Sequence, residues 1–387
     1  MSITDEPEMQ TFETDFGVNF GHFICFDILF KSPALDLIRK ANVSHILYPS
    51  MWFSSTPYAV SIQLQQAFAQ RNNIALLSAG GNWPIKGNTG SGIFIGRHGA
   101  VEKFISYKNE TRMIIAEIPK NLNDPDYQTP EPTIEPYDPE EMKALKIVLA
   151  NSAETHPLSH HFVITENNVT CEFTLNYTTI DNPDGFTHRF MVFSGSKDVS
   201  GILKMGQIQC AIISCEDEGN CGSRHGNKTP RIKFHEIRIE MSVKDDGAEY
   251  FFMPSTLVNT LHPMEVDNYD FKSHEANHMQ EYSMSSMNIT QDLLTFGIYG
   301  RHFSLDQMLS QKIENSWSVE SESEEEKDVE ETPEPMEDDE VDDDFELKMI
   351  IYVVLMVVLC IITAIMVHRK LQDPYKPDLS KRRSSSK

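Results

Sequence analysis

Cys25 closes the apolar run Gly21-His22-Phe23-Ile24, and the chain continues through Phe26-Asp27-Ile28-Leu29-Phe30 to Ser32-Pro33. A thiol between a strand and a helical stretch can attack a carbonyl while the backbone amides beside it receive the oxyanion. The chemistry implied is acyl transfer through a thioester, given a base or nearby positive charge to make the thiolate. The plainer reading is a structural cysteine, since free cysteine is among the most buried residue types. Two other groupings have the composition of a site. His274-Glu275-Ala276-Asn277-His278 fits H-E-x-x-H, which binds zinc only where a helix puts both imidazoles on one face. Its flanks are polar and carry no apolar helical stripe, so no metal is expected there. Cys171, Cys210, Cys215 and Cys221 remain after Cys25 and Cys360 are set aside. The spacing of the last three is compatible with a metal, but an even set in an exported domain reads as two disulfides. Three connectivities are open, with Cys210 or Cys215 as a suggested partner for Cys221.

The elements that must position Cys25 read as α/β. Strand-like runs are Val18–Ile24, Val43–Leu47, Ile74–Leu77, Gly92–Ile95, Glu102–Ile105 and Met113–Glu117, with helical runs at Ala34–Lys40 and Ala59–Gln70. Trp52 follows a predicted strand, where α/β folds collect pocket residues, although packing explains it equally well. Gly80-Gly81-Asn82-Trp83 and residues 87–92 are glycine-rich turns without a phosphate-loop or dinucleotide fingerprint. Residues 119–159 begin rich in Pro, Asp and Glu and read as a linker. From 160 to 318 the pattern turns to β, with alternation in Thr170–Tyr177, Gln207–Ile213, Arg231–Met241 and Leu293–Tyr299.

Gly21 to Ala34 resembles the nucleophile segment of the vanin (pantetheinase) and biotinidase branch of the nitrilase-like carbon–nitrogen hydrolases. The likeness continues in Tyr48-Pro49-Ser50-Met51-Trp52, Ile62-Gln63-Leu64-Gln65-Gln66-Ala67-Phe68-Ala69 and Thr89-Gly90-Ser91-Gly92-Ile93. It resumes in the spacing of Cys210, Cys215 and Cys221 and in Phe296-Gly297-Ile298-Tyr299-Gly300-Arg301. The resemblance implies that residues 1–118 are the second half of a nitrilase-type α-β-β-α sandwich, and that a β-rich base domain follows. It makes Cys25 the nucleophile, offers the Phe26 backbone N–H as an oxyanion donor, and places the glycine-rich turns that carry Asn82 in the pocket wall, with Trp52 the further pocket candidate from its place after a strand. The substrate implied is a small linear amide such as pantetheine or a biotinyl amide. No metal or organic cofactor and no nucleic-acid partner is implied.

The same family uses a Glu base and an oxyanion-stabilising Lys, both ahead of the Cys. Only 24 residues precede Cys25 here, and none is Lys. Glu6, Glu8 and Glu13 are not where the family places its base, and Lys31 reads as a surface residue. The expectation is therefore an N-terminally truncated amidase, a poor hydrolase or none as it stands; the alternative is a catalytically dead surface binding protein.

Topology points the same way. Met349 to Val367 are 19 consecutive uncharged residues, which as a helix span about 28 Å, close to a bilayer's hydrocarbon core. A basic tail, 368–387, follows, so the positive-inside rule puts the C-terminus in the cytosol and the large N-terminal portion outside. Residues 319–348 form an acidic run that holds much of the chain's net charge of −25 and reads as a solvated stalk. Sequons at Asn42, Asn109, Asn168, Asn176, Asn227 and Asn288 suit luminal passage. An acidic start without an apolar stretch is not a signal peptide, so the front of the chain is expected to be missing.

Overall fold

The computed structural model describes residues 7–308, except 125, 131, 133–141, 143–144, 150–153, 200, 202 and 277–278. The acidic run, the apolar stretch 349–367 and the basic tail lie outside the described residues. Among the described residues no helix is long and apolar enough to cross a membrane. The fold is α/β and mostly strand.

Six strands build the first sheet, in chain order: β1 (Thr11–Glu13), β2 (Asn19–His22), β3 (His45–Ser50), β4 (Ala75–Gly80), β5 (Ser91–Ile95) and β6 (Gly99–Phe104). The central strands β2, β3 and β4 are parallel, with Phe20 opposite His45 and His45 opposite Ala75. Parallel pairing needs a crossover, and the helix α1 (Ser61–Asn72) supplies the one between β3 and β4. Ile46, Tyr48, Leu76 and Phe94 are buried on the sheet face that meets α1. On the other face Ala75, Ile95 and Val101 are covered by Ala116, Ile118, Leu122 and Tyr127. Beside that patch Phe12 and Phe16 pack on Phe20 and remain half exposed. The strand expected at Met113–Glu117 does not form: no described strand pairs with it, and Met113 and Ile115 are 80% and 79% exposed.

The later residues form two antiparallel sheets stacked as a sandwich. Its strands are β7 (His161–Glu166), β8 (Val169–Thr179), β9 (Thr187–Val199), β10 (Leu203–Cys215), β11 (Ile232–Lys244), β12 (Tyr250–Val258), β13 (Asp270–Ala276), β14 (Met279–Met287) and β15 (Leu293–His302). One sheet runs β7-β8-β11-β14-β13, and the other runs β12-β15-β10-β9 with Thr155–Pro157 at its edge. Period-2 alternation sends Phe190, Ile208, Cys210, Ile212, Phe252 and Phe296 into the space between these sheets. Their neighbours Met191, Ala211, Ile213, Phe251, Met253 and Tyr299 face the other way, into the core shared with α1.

Cys171 on β8 joins Cys210 on β10 across the sandwich, and Cys215 joins Cys221 around a tight loop. Of the three connectivities the chain takes the one that pairs Cys215 with Cys221; the Cys210–Cys221 alternative is not formed.

Helix α1 is enclosed between the first sheet and β12, so its polar side chains must bond to protein. Gln63, Gln65 and Gln66 are each 1% exposed. Gln63 Nε2 donates to the Pro57 carbonyl and to Ser255 Oγ, both at 2.9 Å, while its Oε1 accepts from the Val60 amide and so caps the helix start. Gln66 Nε2 donates to the Met264 carbonyl at 2.7 Å, and Arg71 Nε to the Phe252 carbonyl at 2.9 Å. At the other end Asn73 adopts a left-handed conformation (φ 49°) that stops the helix. Gly90 lies so close to Ser61 Oγ that a Cβ would collide with it.

Replacing Gln63 with Leu should lower stability by about 1–3 kcal/mol, because Ser255 Oγ and the Val60 amide are left buried and unpaired, whereas the Pro57 carbonyl keeps Thr295. A shifted urea midpoint with an unchanged m-value is the expected result.

Two buried imidazoles and one half-buried one add a pH dependence. Burial pushes His188, His225 and His262 down to about 4, against an ordinary value near 6.5. Between those values the unfolded chain binds more protons than the folded one, so stability is complete above pH ~6.5 and is lost as pH falls toward 4. His225 stacks on Phe186 at 4.1 Å, and neither of its ring nitrogens has a described partner. His225→Phe should therefore keep the stack and flatten the decline in urea midpoint between pH 6.5 and 4.5.

Candidate active site

The site is built where β2, β3 and β4 end. Strand β2 leaves the sheet at Phe23, which is buried against Tyr48 and Phe68 with ring centroids 5.3 and 5.8 Å away. That anchor forces Ile24 outward, where it is 57% exposed. Cys25 then takes φ 62°, a left-handed conformation that favours glycine, and opens the short 3-10 turn Cys25–Leu29.

Three hydrogen bonds hold that conformation. The Asp27 carboxylate accepts from the Ile24 amide at 2.9 Å, and the Asp27 amide donates back to the Ile24 carbonyl at 2.8 Å. From below, the Tyr48 hydroxyl donates to the Cys25 carbonyl at 2.6 Å. Burial pushes the Tyr48 phenol well up, aided by the nearby Cys25 and Asp27, so it stays protonated and able to donate. The Cys25 side chain is free and half-buried. The Phe26 amide, at the start of the turn, has no acceptor within it.

Phe26 packs on Phe30 and Trp52, at 5.3 and 6.2 Å between centroids. Trp52 is 7% exposed and its indole N–H donates to the Ala59 carbonyl at 2.8 Å, so it is a wall behind the turn rather than a free donor. Asn82 follows β4 and its Nδ2 donates to the Lys108 and Glu110 carbonyls at 2.8 and 2.9 Å. It therefore pins the loop that carries Asn109.

Other candidate residues are placed as follows. His274 lies exposed on β13 opposite Glu281, so the H-E-x-x-H stretch begins on a strand, where neighbouring side chains diverge; His278 is outside the described residues. Lys31 Nζ is bonded to Glu249 at 2.6 Å. Asn42, Asn109, Asn168, Asn176, Asn227 and Asn288 are all exposed. Sequence reasoning assigned no role to Asp27 or Tyr48. Asp27, two residues after the thiol, was the more visible; Tyr48 shows only once β2 and β3 are paired.

Known proteins resemble this chain in sequence. Residues 141–306 match the Vanin C-terminal domain family. Vanin-like protein 2 of Drosophila melanogaster is 29% identical over 334 residues, covering 77% of this chain and 61% of that protein. Biotinidase of Homo sapiens is 39% identical over 117 residues, 30% of this chain and 21% of its own length. Pantetheinase of Bos taurus is 26% identical over 272 residues, 66% of this chain and 50% of its own. These likenesses support the vanin and biotinidase branch of the nitrilase-like superfamily for this chain. It spans about three-fifths of the length of the vanin-like proteins it matches.

The left-handed backbone at Cys25 yields a direct test. Cys25→Gly should be more stable than Cys25→Ala by about 1 kcal/mol, the cost of placing a Cβ at positive φ. Equal urea midpoints for the two variants would show that the turn relaxes in their absence of a thiol.

Proposed function

We propose that the protein is a thiol amidohydrolase of the vanin and biotinidase type, acting on a linear, non-peptide amide. The observation that carries this is the half-exposed Cys25 thiol, held at positive φ on a turn anchored by Asp27 and Tyr48. Strain concentrated at one reactive side chain, and compensated by its neighbours, is a mark of functional sites. In the reaction Cys25 Sγ attacks the amide carbonyl, the amine leaves with a proton, and a thioester remains. Water then attacks the thioester, releasing the acid and restoring the thiol. The Phe26 amide is the oxyanion donor, and Trp52 and Asn82 shape the pocket wall. The relatives' names, pantetheinase and biotinidase, support pantetheine and biotinyl amides as the substrates to try first.

A second reading is a surface binding protein that keeps the pocket without the chemistry. It is favoured by two partners already spent: the Asp27 carboxylate is bound to a backbone amide, and Lys31 to Glu249. Neither is free to serve as base or as oxyanion cation.

The reading extends to a membrane-anchored ectoprotein, held by residues 349–367 with its C-terminus in the cytosol and glycans on the six sequons. Hydropathy, the flanking charges and the sequons support it.

Incubation with pantetheine or biotinyl-lysine should release the amine and leave an acyl mass on Cys25 in protein quenched with acid. Cys25→Ser should lose both signals. Binding of the amide without turnover or adduct would select the binding protein instead.

A further inference from the structure

Arg301 ends the Phe296–Arg301 stretch of β15 and is 1% exposed, the largest of the fully buried side chains among the described residues. A guanidinium removed from water has to match its donors, since an unpaired buried charge costs several kcal/mol. Nε donates to the Leu29 carbonyl at 2.9 Å, Nη1 to the Gly206 carbonyl, and Nη2 to Asp306 Oδ2 at 2.6 Å. Asp306 Oδ1 in turn accepts from the Gly206 amide at 2.9 Å. The Phe303 ring lies 5.2 Å from the guanidinium carbon. Gly206, Asp306 and Phe303 belong to the β-rich part of the chain. Leu29 does not: it is the last residue of the turn that Cys25 opens, 272 positions away from Arg301.

We infer that Arg301 is a positioning residue for the Cys25 thiol, clamping the far end of its turn to the sandwich. The inference rests on the reading of Cys25 as nucleophile. Asp27 and Tyr48 fix the start of the turn, and Arg301 fixes its end. A five-residue turn held at both ends cannot slide along its own axis, so the aim of Sγ is set from both sides. Only a planar fork serves three acceptors that lie in different directions; a lysine ammonium concentrates its donors on one point at the end of a flexible stem. Asp306 keeps the fork oriented.

The test compares two reactions of Cys25 in the full chain, each followed by the mass of the peptide that carries Cys25. Iodoacetamide alkylation reads access to the thiol. Acylation by p-nitrophenyl acetate, in which Sγ attacks the ester carbonyl and displaces p-nitrophenolate, reads access and aim together. In folded Arg301→Ala the acylation rate should fall roughly tenfold to a hundredfold while alkylation holds or rises. Millimolar guanidinium should restore acylation and methylammonium should not, because only the former rebuilds the fork. Asp306→Asn keeps the cation, serves if Arg301→Ala fails to fold, and should show the same split more weakly. Parallel change in both rates, or no change in either, would overturn the role and leave Arg301 as packing alone. Failure of the nucleophile reading appears on a separate axis, as wild-type Cys25 acylating no faster than free cysteine.

Discussion

A helix with a sheet on each side has no solvent to turn its polar side chains toward. Helix Ser61–Asn72 is in that position along most of its length, and the amide nitrogens of its buried glutamines donate to the surrounding layers. Gln63 reaches Ser255, Gln66 reaches the Met264 carbonyl, and Gln70 accepts from Tyr269 at 2.6 Å. Lys103, buried at the edge of the first sheet, adds an ion pair to Glu265 at 2.6 Å. These bonds are directional, so they fix the register of sandwich against helix in a way that apolar packing alone would leave loose. The first sheet packs on the same helix, and the turn bearing Cys25 hangs from that sheet.

Much of the α/β part was legible because its periods are short and clean. The central strands and the helix show in Val43–Leu47, Ile74–Leu77 and Ala59–Gln70, each within a few residues of its observed place. Tyr250–Val258 was not, for a physical reason. It is buried on both faces, one toward the helix and one toward the second sheet, so it shows no alternation. Pro254 in its middle argues against a strand, yet the strand lies at a sheet edge, where a missing N–H breaks no ladder. Met113–Glu117 erred in the opposite direction, an apolar run that no strand pairs.

The site divides along the same line. A cysteine between strand and helix is visible in one dimension, and so is an aspartate two residues on. Contacts that close over long separations are not: Tyr48 on Cys25, or Glu249 on Lys31, exist only after the layers meet. Cysteine pairing was open for the same reason, since spacing favours no partner for Cys171 until β8 and β10 face each other.

That bridge between β8 and β10 carries an entropy with it. It closes a loop of 39 residues, and a cross-link of that size removes about 4 kcal/mol of freedom from the unfolded chain in the chain-entropy picture. For a domain whose whole margin is of order 10 kcal/mol, that is a large share. The sandwich described here is thus an oxidised object. Translated into a reducing compartment, the same sequence would hold its two sheets together by Phe173, Phe190 and their neighbours alone, and the layer that secures the helix would be the first to loosen.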